Sequence, residues 1–159
     1  MYCSLYENSV NFVTDLSMKQ FAIYLSFSFL VLLGSCRNTN NSTMPYVPVD
    51  IYINVSLPAY SNLNVIGGWA YVTGGNDGIL LYRQSFESIL AYERRCTYNA
   101  FEACGFSSVD STNVVVECAC DGSRYSLFDG SVIEGPATAP LFRYNTTFNV
   151  NFGDVHIFN

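Results

Sequence analysis

The sequence predicts a small all-β domain, a sandwich or barrel of short antiparallel strands, from three observations. The segment VDIYINVSL (49–57) alternates apolar and polar residues, which is the period of a half-buried strand. Turn-forming residues separate this segment from other short β-rich segments, as in TGGNDG (73–78). After residue 36, no stretch carries an apolar 3.6-residue period long enough for a helix.

The expected strands follow one another at short intervals. Pro58 ends the first strand, and the second, 63–72, has a break at Gly67-Gly68. The segment 124–135 reads as a hairpin around an Asp129-Gly130 turn. The other predicted strands are ILLYR (79–83), SILAYER (88–94), NVVVEC (113–118), TTFNVNF (146–152) and VHIFN (155–159).

Composition excludes several classes of function. The 159 residues suggest one domain, and half of them are apolar, so a real core is expected. Thirteen acidic residues against seven basic ones argue against nucleic-acid binding and against a basic membrane-binding patch. The single histidine, His156, excludes a site that needs two imidazoles and leaves no nucleophile–histidine pair for an enzyme. We expect it to face outward on the last strand.

The N-terminal region predicts export. In MKQFAIYLSFSFLVLLGSC (18–36), a lysine precedes an apolar run that is short for a bilayer span but typical of a signal peptide. The end of this run, Leu33-Gly34-Ser35-Cys36, resembles the lipobox of bacterial lipoproteins. That resemblance implies cleavage before Cys36 and acylation of its thiol. A plain signal peptide with an incidental cysteine is the alternative.

These features divide the chain into four regions. Residues 1–17 are expected to be an over-extended start, 18–35 the signal peptide, 36–48 the lipid anchor with a polar tether, and 49–159 the folded domain. The expected location is the bacterial cell envelope, at a periplasmic or outer-membrane face. The expected partners are the lipid bilayer, through acylated Cys36, and an unidentified periplasmic or surface protein. Disulfide bonds persist in that compartment.

Four cysteines form two clusters, CTYNAFEAC (96–104) and CACDGS (118–123). By themselves they are compatible with a zinc site, an iron–sulfur site or two disulfide bonds. Their C-x-C and C-x7-C spacings are poor for a zinc ribbon. Export makes disulfide bonds the default use.

The residues around these cysteines make the pattern more specific. Cys96-Thr97-Tyr98, CACDGS and LFDGSVIEGPATAPLFRY (127–144) together resemble the Rieske iron–sulfur domain, over roughly residues 65–145. That family carries C-T-H, then C-P-C-H-G-S, then a D/G turn followed by G-P-A and P-L. The resemblance implies a small antiparallel β-sandwich in which two cysteine-bearing loops clasp a [2Fe-2S] cluster.

Several positions carry over from the family residue by residue. Cys96 and Cys118 match the two cysteine ligands of the cluster. Cys120 matches the cysteine of the disulfide that bridges the loops, and Cys104 is its implied partner. The family resemblance also assigns Ser123 and Tyr125 to positions that donate hydrogen bonds to the cluster sulfurs.

Both histidine ligands of the family are replaced, by Tyr98 and Asp121. Two neutral imidazoles on one iron define Rieske ligation, so this change removes the defining chemistry. Phenolate and carboxylate oxygens can coordinate ferric iron. The interpretation we favour is that Tyr98 packs under its loop and Asp121 forms an Asx-type turn. Without iron, Cys96 and Cys118 would then lie close enough to oxidise to a second disulfide bond.

Three functions follow, in this order of preference. The first is a lipid-anchored, cluster-free binding or structural module that holds no cofactor. The second is an electron carrier with a [2Fe-2S] cluster held by Cys96, Cys118, Tyr98 and Asp121. The third is a thiol–disulfide protein that uses the C-x-C pair at 118–120, although only Arg124, and no lysine or histidine, is near to activate a thiol.

Overall fold

The structure is a computed structural model that describes residues 44–98, 100–101 and 103–159. Predictions for 1–17, the signal peptide, Cys36 and most of the tether lie outside these residues. The strands are β1 (Asp50–Asn54), β2 (Trp69–Val72), β3 (Ile79–Arg83), β4 (Ile89–Glu93), β5 (Ser107–Val109), β6 (Val115–Cys118), β7 (Arg124–Ser126), β8 (Val132–Glu134), β9 (Arg143–Asn149) and β10 (Asp154–Phe158). A 3-10 helix covers Pro58–Asn64.

The strands form two antiparallel sheets. The larger sheet has six strands in the order β1-β10-β9-β4-β3-β2, and the smaller has four in the order β5-β6-β7-β8. Adjacent strands along the chain pair as hairpins in β2-β3-β4, in β5-β6-β7-β8 and in β9-β10. This confirms the predicted all-β, antiparallel architecture.

Strands β3 and β4 contribute to two hydrophobic cores at once. All five residues of β4 are buried, and so are four of the five in β3. Ile89 and Ala91 pack in a core with β1, β9 and β10, while Leu90 and Tyr92 pack in a second core with β6 and β7. Burial of both faces explains why ILLYR and SILAYER carry no polar–apolar alternation.

The second core places the two cysteine clusters. The segment 94–106 joins β4 to β5, and we call it the first cysteine loop; the segment 118–123 joins β6 to β7, and we call it the second cysteine loop. Cys96 and Cys118 are themselves members of this core, together with Leu141 and Ala137 from the segment 135–142. We call that segment the proline loop. The three loops therefore meet at one end of the second core.

Some predicted elements are wrong in extent. The first strand ends at Asn54, and Pro58, predicted only to end it, is at the start of the 3-10 helix. Fixed φ and a missing N–H suit proline to that first helical position. The second strand, predicted from residue 63, begins only at Trp69. In the described residues, no helix is long and apolar enough to cross a membrane.

Candidate functional site

Two disulfide bonds connect the cysteine loops. Cys96 bonds to Cys118, with their Cα atoms 6.0 Å apart, and Cys104 bonds to Cys120, with their Cα atoms 5.2 Å apart. The Cys96–Cys118 bond is in the core, because these residues are 0% and 1% exposed. Cys104 is exposed, and Cys120 is half-buried. The site thus has an inner and an outer disulfide bond.

Backbone hydrogen bonds hold the two cysteine loops together. The N–H of Cys96 donates to the carbonyl of Gly105 at 2.6 Å, which closes the first loop on itself. The N–H of Ala119 donates to the carbonyl of Phe106 at 3.1 Å and joins the second loop to the first. The cysteine side chains therefore lie on backbone that is already fixed.

The second cysteine loop is a tight turn. The N–H of Cys118 donates to the carbonyl of Ser123 at 2.8 Å, and Gly122 donates back to the carbonyl of Cys118 at 3.1 Å. Gly122 has a φ of 70°, in the left-handed region where a side chain is unfavourable. This requirement accounts for the glycine in CACDGS.

Asp121 forms the Asx-type turn that the sequence predicts. Its Oδ1 accepts a hydrogen bond from the N–H of Ser123 at 2.8 Å. Its Oδ2 lies 3.1 Å from Sγ of Cys118. A disulfide sulfur carries no proton, so this second contact is close packing of a carboxylate against the bond. Ligand atoms of Cys96, Cys118 and Asp121 all lie within 4.8 Å of one another.

Ser123 and Tyr125, which the resemblance assigns to hydrogen bonds with cluster sulfurs, contact other groups here. The buried Oγ of Ser123 accepts a hydrogen bond from the N–H of Ala137 at 2.9 Å. The hydroxyl of Tyr125 lies 3.1 Å from Oγ1 of Thr97, which donates to the carbonyl of Ala139 at 2.8 Å. Burial raises the pKa of Tyr125. These contacts tie the proline loop to both cysteine loops.

Tyr98 and His156 complete the predicted residues. Tyr98 is 43% exposed on the first cysteine loop, so the prediction that it packs under that loop is wrong. His156 lies on β10, paired in register with Tyr52, and its Nε2 is 2.6 Å from Oδ1 of Asp50. The Tyr52 ring stacks on the imidazole with 4.1 Å between centroids. The one histidine therefore contacts the edge strand β1 of the larger sheet, away from the cysteine loops.

A buried carboxylate that the sequence analysis did not single out fixes the start of the first cysteine loop. Glu93 accepts hydrogen bonds from the N–H groups of Asn76, Asp77 and Arg95 at 2.7, 3.1 and 3.0 Å, and from the hydroxyl of Tyr144 at 2.7 Å. Burial by itself raises the pKa of Glu93, but these hydrogen bonds outweigh it and hold the pKa below its usual value. In the sequence, a glutamate at the end of an apolar strand indicates such a buried carboxylate.

The donor set does not fit a Rieske cluster. The two family cysteine ligands are oxidised to each other, so neither sulfur is a thiolate that can bind iron. At the two imidazole positions stand a half-exposed phenol and a carboxylate with one oxygen engaged in a turn. Neither group supplies the neutral nitrogen donor that defines this ligation.

Comparison with solved structures finds a Rieske protein, a ferredoxin and a chain of an oxygenase–ferredoxin complex among the similar folds. The plasma membrane Rieske protein PetC3 of the cyanobacterium Synechocystis PCC 6803 shares 18% identity, over 72% of this chain and 100% of that one, at a TM-score of 0.49. The ferredoxin of carbazole 1,9a-dioxygenase from Nocardioides aromaticivorans IC177 shares 14%, over 70% and 97%, at a TM-score of 0.44. A chain of the oxygenase–ferredoxin complex in carbazole 1,9a-dioxygenase shares 23%, over 58% and 90%, at 0.42.

The family assignment comes from the sequence. No curated protein matches the chain significantly. The family model of the Rieske [2Fe-2S] domain matches residues 59–145, a range that contains both cysteine loops, the whole smaller sheet and strands β2, β3 and β4 of the larger sheet. This chain therefore belongs to the Rieske [2Fe-2S] domain family.

Proposed function

We propose that this protein is a cluster-free member of its family, a binding or structural module at the bacterial cell envelope. One observation carries the proposal: Cys96 and Cys118, the family's cysteine ligands, are bonded to each other. Acylated Cys36 anchors the module to the bilayer, and a periplasmic or surface protein is its partner. The lipobox at 33–36 and the two disulfide bonds support the exported location.

The inner disulfide bond takes over the structural part of the cluster's task. A cluster links the two loops through metal–sulfur bonds, and the Cys96–Cys118 bond links the same two loops directly. It closes a separation of 22 residues, which corresponds to about 3 kcal/mol of loop entropy removed from the unfolded chain. The loops stay assembled without a metal cluster.

Metal analysis tests the proposal. The full chain is expressed in cells that build iron–sulfur clusters, beside a histidine-ligated Rieske protein as positive control, and both are purified without oxygen. We expect the control to contain iron and sulfide and this protein to be colourless, with no spin-resonance signal on reduction. Stoichiometric iron and acid-labile sulfide in this protein would contradict the proposal.

The second candidate is an electron carrier, and the carboxylate of Asp121 beside Sγ of Cys118 favours it. Iron and sulfide analysis of the same purified protein distinguishes the two candidates. With anionic oxygens in place of neutral imidazoles, the reduction potential should lie below the histidine-ligated range, towards about −400 mV. Replacing Tyr98 and Asp121 together by histidine should raise it. A positive native potential would exclude these two residues as ligands.

A further inference from the structure

We propose that reduction of the Cys96–Cys118 bond opens a site for one thiophilic divalent cation of the zinc class, bound by Cys96, Cys118 and Asp121. Their ligand atoms lie within 4.8 Å of one another in the oxidised protein. The site takes a single ion and needs neither bridging sulfide nor imidazole, so it differs from the family's cluster. It is a second state of a protein whose resting state is the disulfide.

The distances suit a tetrahedral ion. Zinc–sulfur bonds of about 2.3 Å and zinc–oxygen bonds of about 2.0 Å place the two sulfurs roughly 3.8 Å apart and each sulfur roughly 3.5 Å from the oxygen. Oδ2 of Asp121 is already 3.1 Å from Sγ of Cys118. The Cα atoms of Cys96 and Cys118 are 6.0 Å apart, and the site requires their side chains to rotate until the sulfurs are about 3.8 Å apart.

The surroundings of the carboxylate orient it as a ligand. Oδ1 of Asp121 accepts the N–H of Ser123 at 2.8 Å, which directs Oδ2 towards the sulfurs. Such hydrogen bonds from outside the ligand shell fix the orientation of metal ligands. Cys96 and Cys118 are fully buried, so water competes weakly for the site. Water can occupy the fourth position.

The reaction balances with an external dithiol as reductant. One dithiol reduces the Cys96–Cys118 bond to two thiols and becomes a cyclic disulfide, a transfer of two electrons and two protons. The divalent ion then displaces the two thiol protons and forms two metal–sulfur bonds. Two thiolates and one carboxylate carry three negative charges, of which the ion compensates two.

Cobalt binding tests the site. The test uses a variant of the full chain in which serine replaces Cys3, Cys36, Cys104 and Cys120, so that Cys96 and Cys118 are its only thiols. It is reduced with dithiothreitol, freed of reductant and titrated with Co²⁺ without oxygen. We expect thiolate-to-cobalt charge transfer and the visible bands of tetrahedral Co²⁺ at one ion per chain, bleached by Zn²⁺. The unreduced sample should stay colourless.

A matched pair of variants identifies the third ligand. Asp121→Asn should weaken Co²⁺ binding by about 10-fold or more, since loss of even an orienting partner costs 10- to 100-fold. Glu117→Gln removes the same charge from an exposed neighbour of Cys118 and should leave the affinity unchanged. If both variants weaken Co²⁺ binding equally, Asp121 acts only through its charge and is not a ligand. Reduced protein without cobalt bands would overturn the site.

The test of the cation site remains possible if the serine variant does not fold. If circular dichroism shows that it is unfolded, the comparison is made on the fully reduced chain with all its cysteines. The ratio of the Co²⁺ affinities of Asp121→Asn and Glu117→Gln then shows whether Asp121 is a ligand. The outcome is also separate from the proposed function. Iron and sulfide in the native protein contradict that function, whereas absent cobalt binding in the reduced protein contradicts only this site.

Discussion

Removing the inner disulfide bond should strongly destabilise the domain. In the double variant Cys96→Ala, Cys118→Ala, the unfolded chain regains the freedom of a 22-residue separation, about 3 kcal/mol. Because both sulfurs are buried in the second core, their loss also removes packing contacts there. For a domain of this size, 3 kcal/mol lowers the melting temperature by roughly 10 °C or more.

The outer disulfide bond provides the matched control. Cys104→Ala, Cys120→Ala releases a 16-residue separation, whose loop entropy is also about 3 kcal/mol. Cys104 is exposed, so little packing is lost with it. We therefore expect the inner pair to cost more than the outer pair, and the excess measures the contribution of buried sulfur to the core.

Thermal unfolding followed by circular dichroism, with and without dithiothreitol, is the assay. The wild type should melt well above the inner double variant under oxidising conditions. After complete reduction, the difference between them should shrink to the packing contribution alone. If the inner variant melts at the wild-type temperature without reductant, the Cys96–Cys118 bond does not stabilise the fold.

Three further predictions concern the outer bond, the anchor and the buried carboxylate. Peptide mapping without reductant should recover Cys104 linked to Cys120; a free Cys104 would contradict the pairing. Cys36→Ser should move the protein out of the membrane fraction, and continued sedimentation with membranes would rule out a lipid anchor. Glu93→Gln should cost about 2 kcal/mol in urea unfolding at pH 7, against a Tyr144→Phe control that removes one of five hydrogen-bond donors. Because the folded-state pKa of Glu93 is lowered, its stabilisation is present above the unfolded-state pKa and is lost as the pH falls through the folded value, so the variant should show a smaller acid-induced loss.

The sequence predicted best where one physical requirement dominates. ILLYR and SILAYER are strands at the predicted positions because both of their faces are buried. Strand β5, Ser107–Val109, was missed because three residues with one half-buried apolar side chain give no periodic signal. Its pairing of Ser107 with Cys118 is a tertiary contact that no local pattern encodes.

Within the site too, local motifs could be predicted and long-range contacts could not. The family motifs predicted which cysteines meet, since their positions are fixed by loop residues that can be read directly. The hydrogen bonds that surround those loops could not be predicted from the motifs. Thr97 bonds to Ala139 across 42 positions, and Glu93 bonds to Tyr144 across 51. Such contacts depend on how the sheets pack, which the spacing of residues along the chain does not specify.

The carboxylate of Asp121 disfavours a negative charge on Cys118. A carboxylate 3.1 Å from Sγ of Cys118 repels a thiolate there, whereas a neutral imidazole would not. The sulfurs are buried, where like charges interact more strongly than in water. In the disulfide both sulfurs are uncharged, so the carboxylate packs against Cys118 without repulsion. After reduction of the bond, two thiolates beside this carboxylate would need a cation to offset their charge, which is the site proposed above.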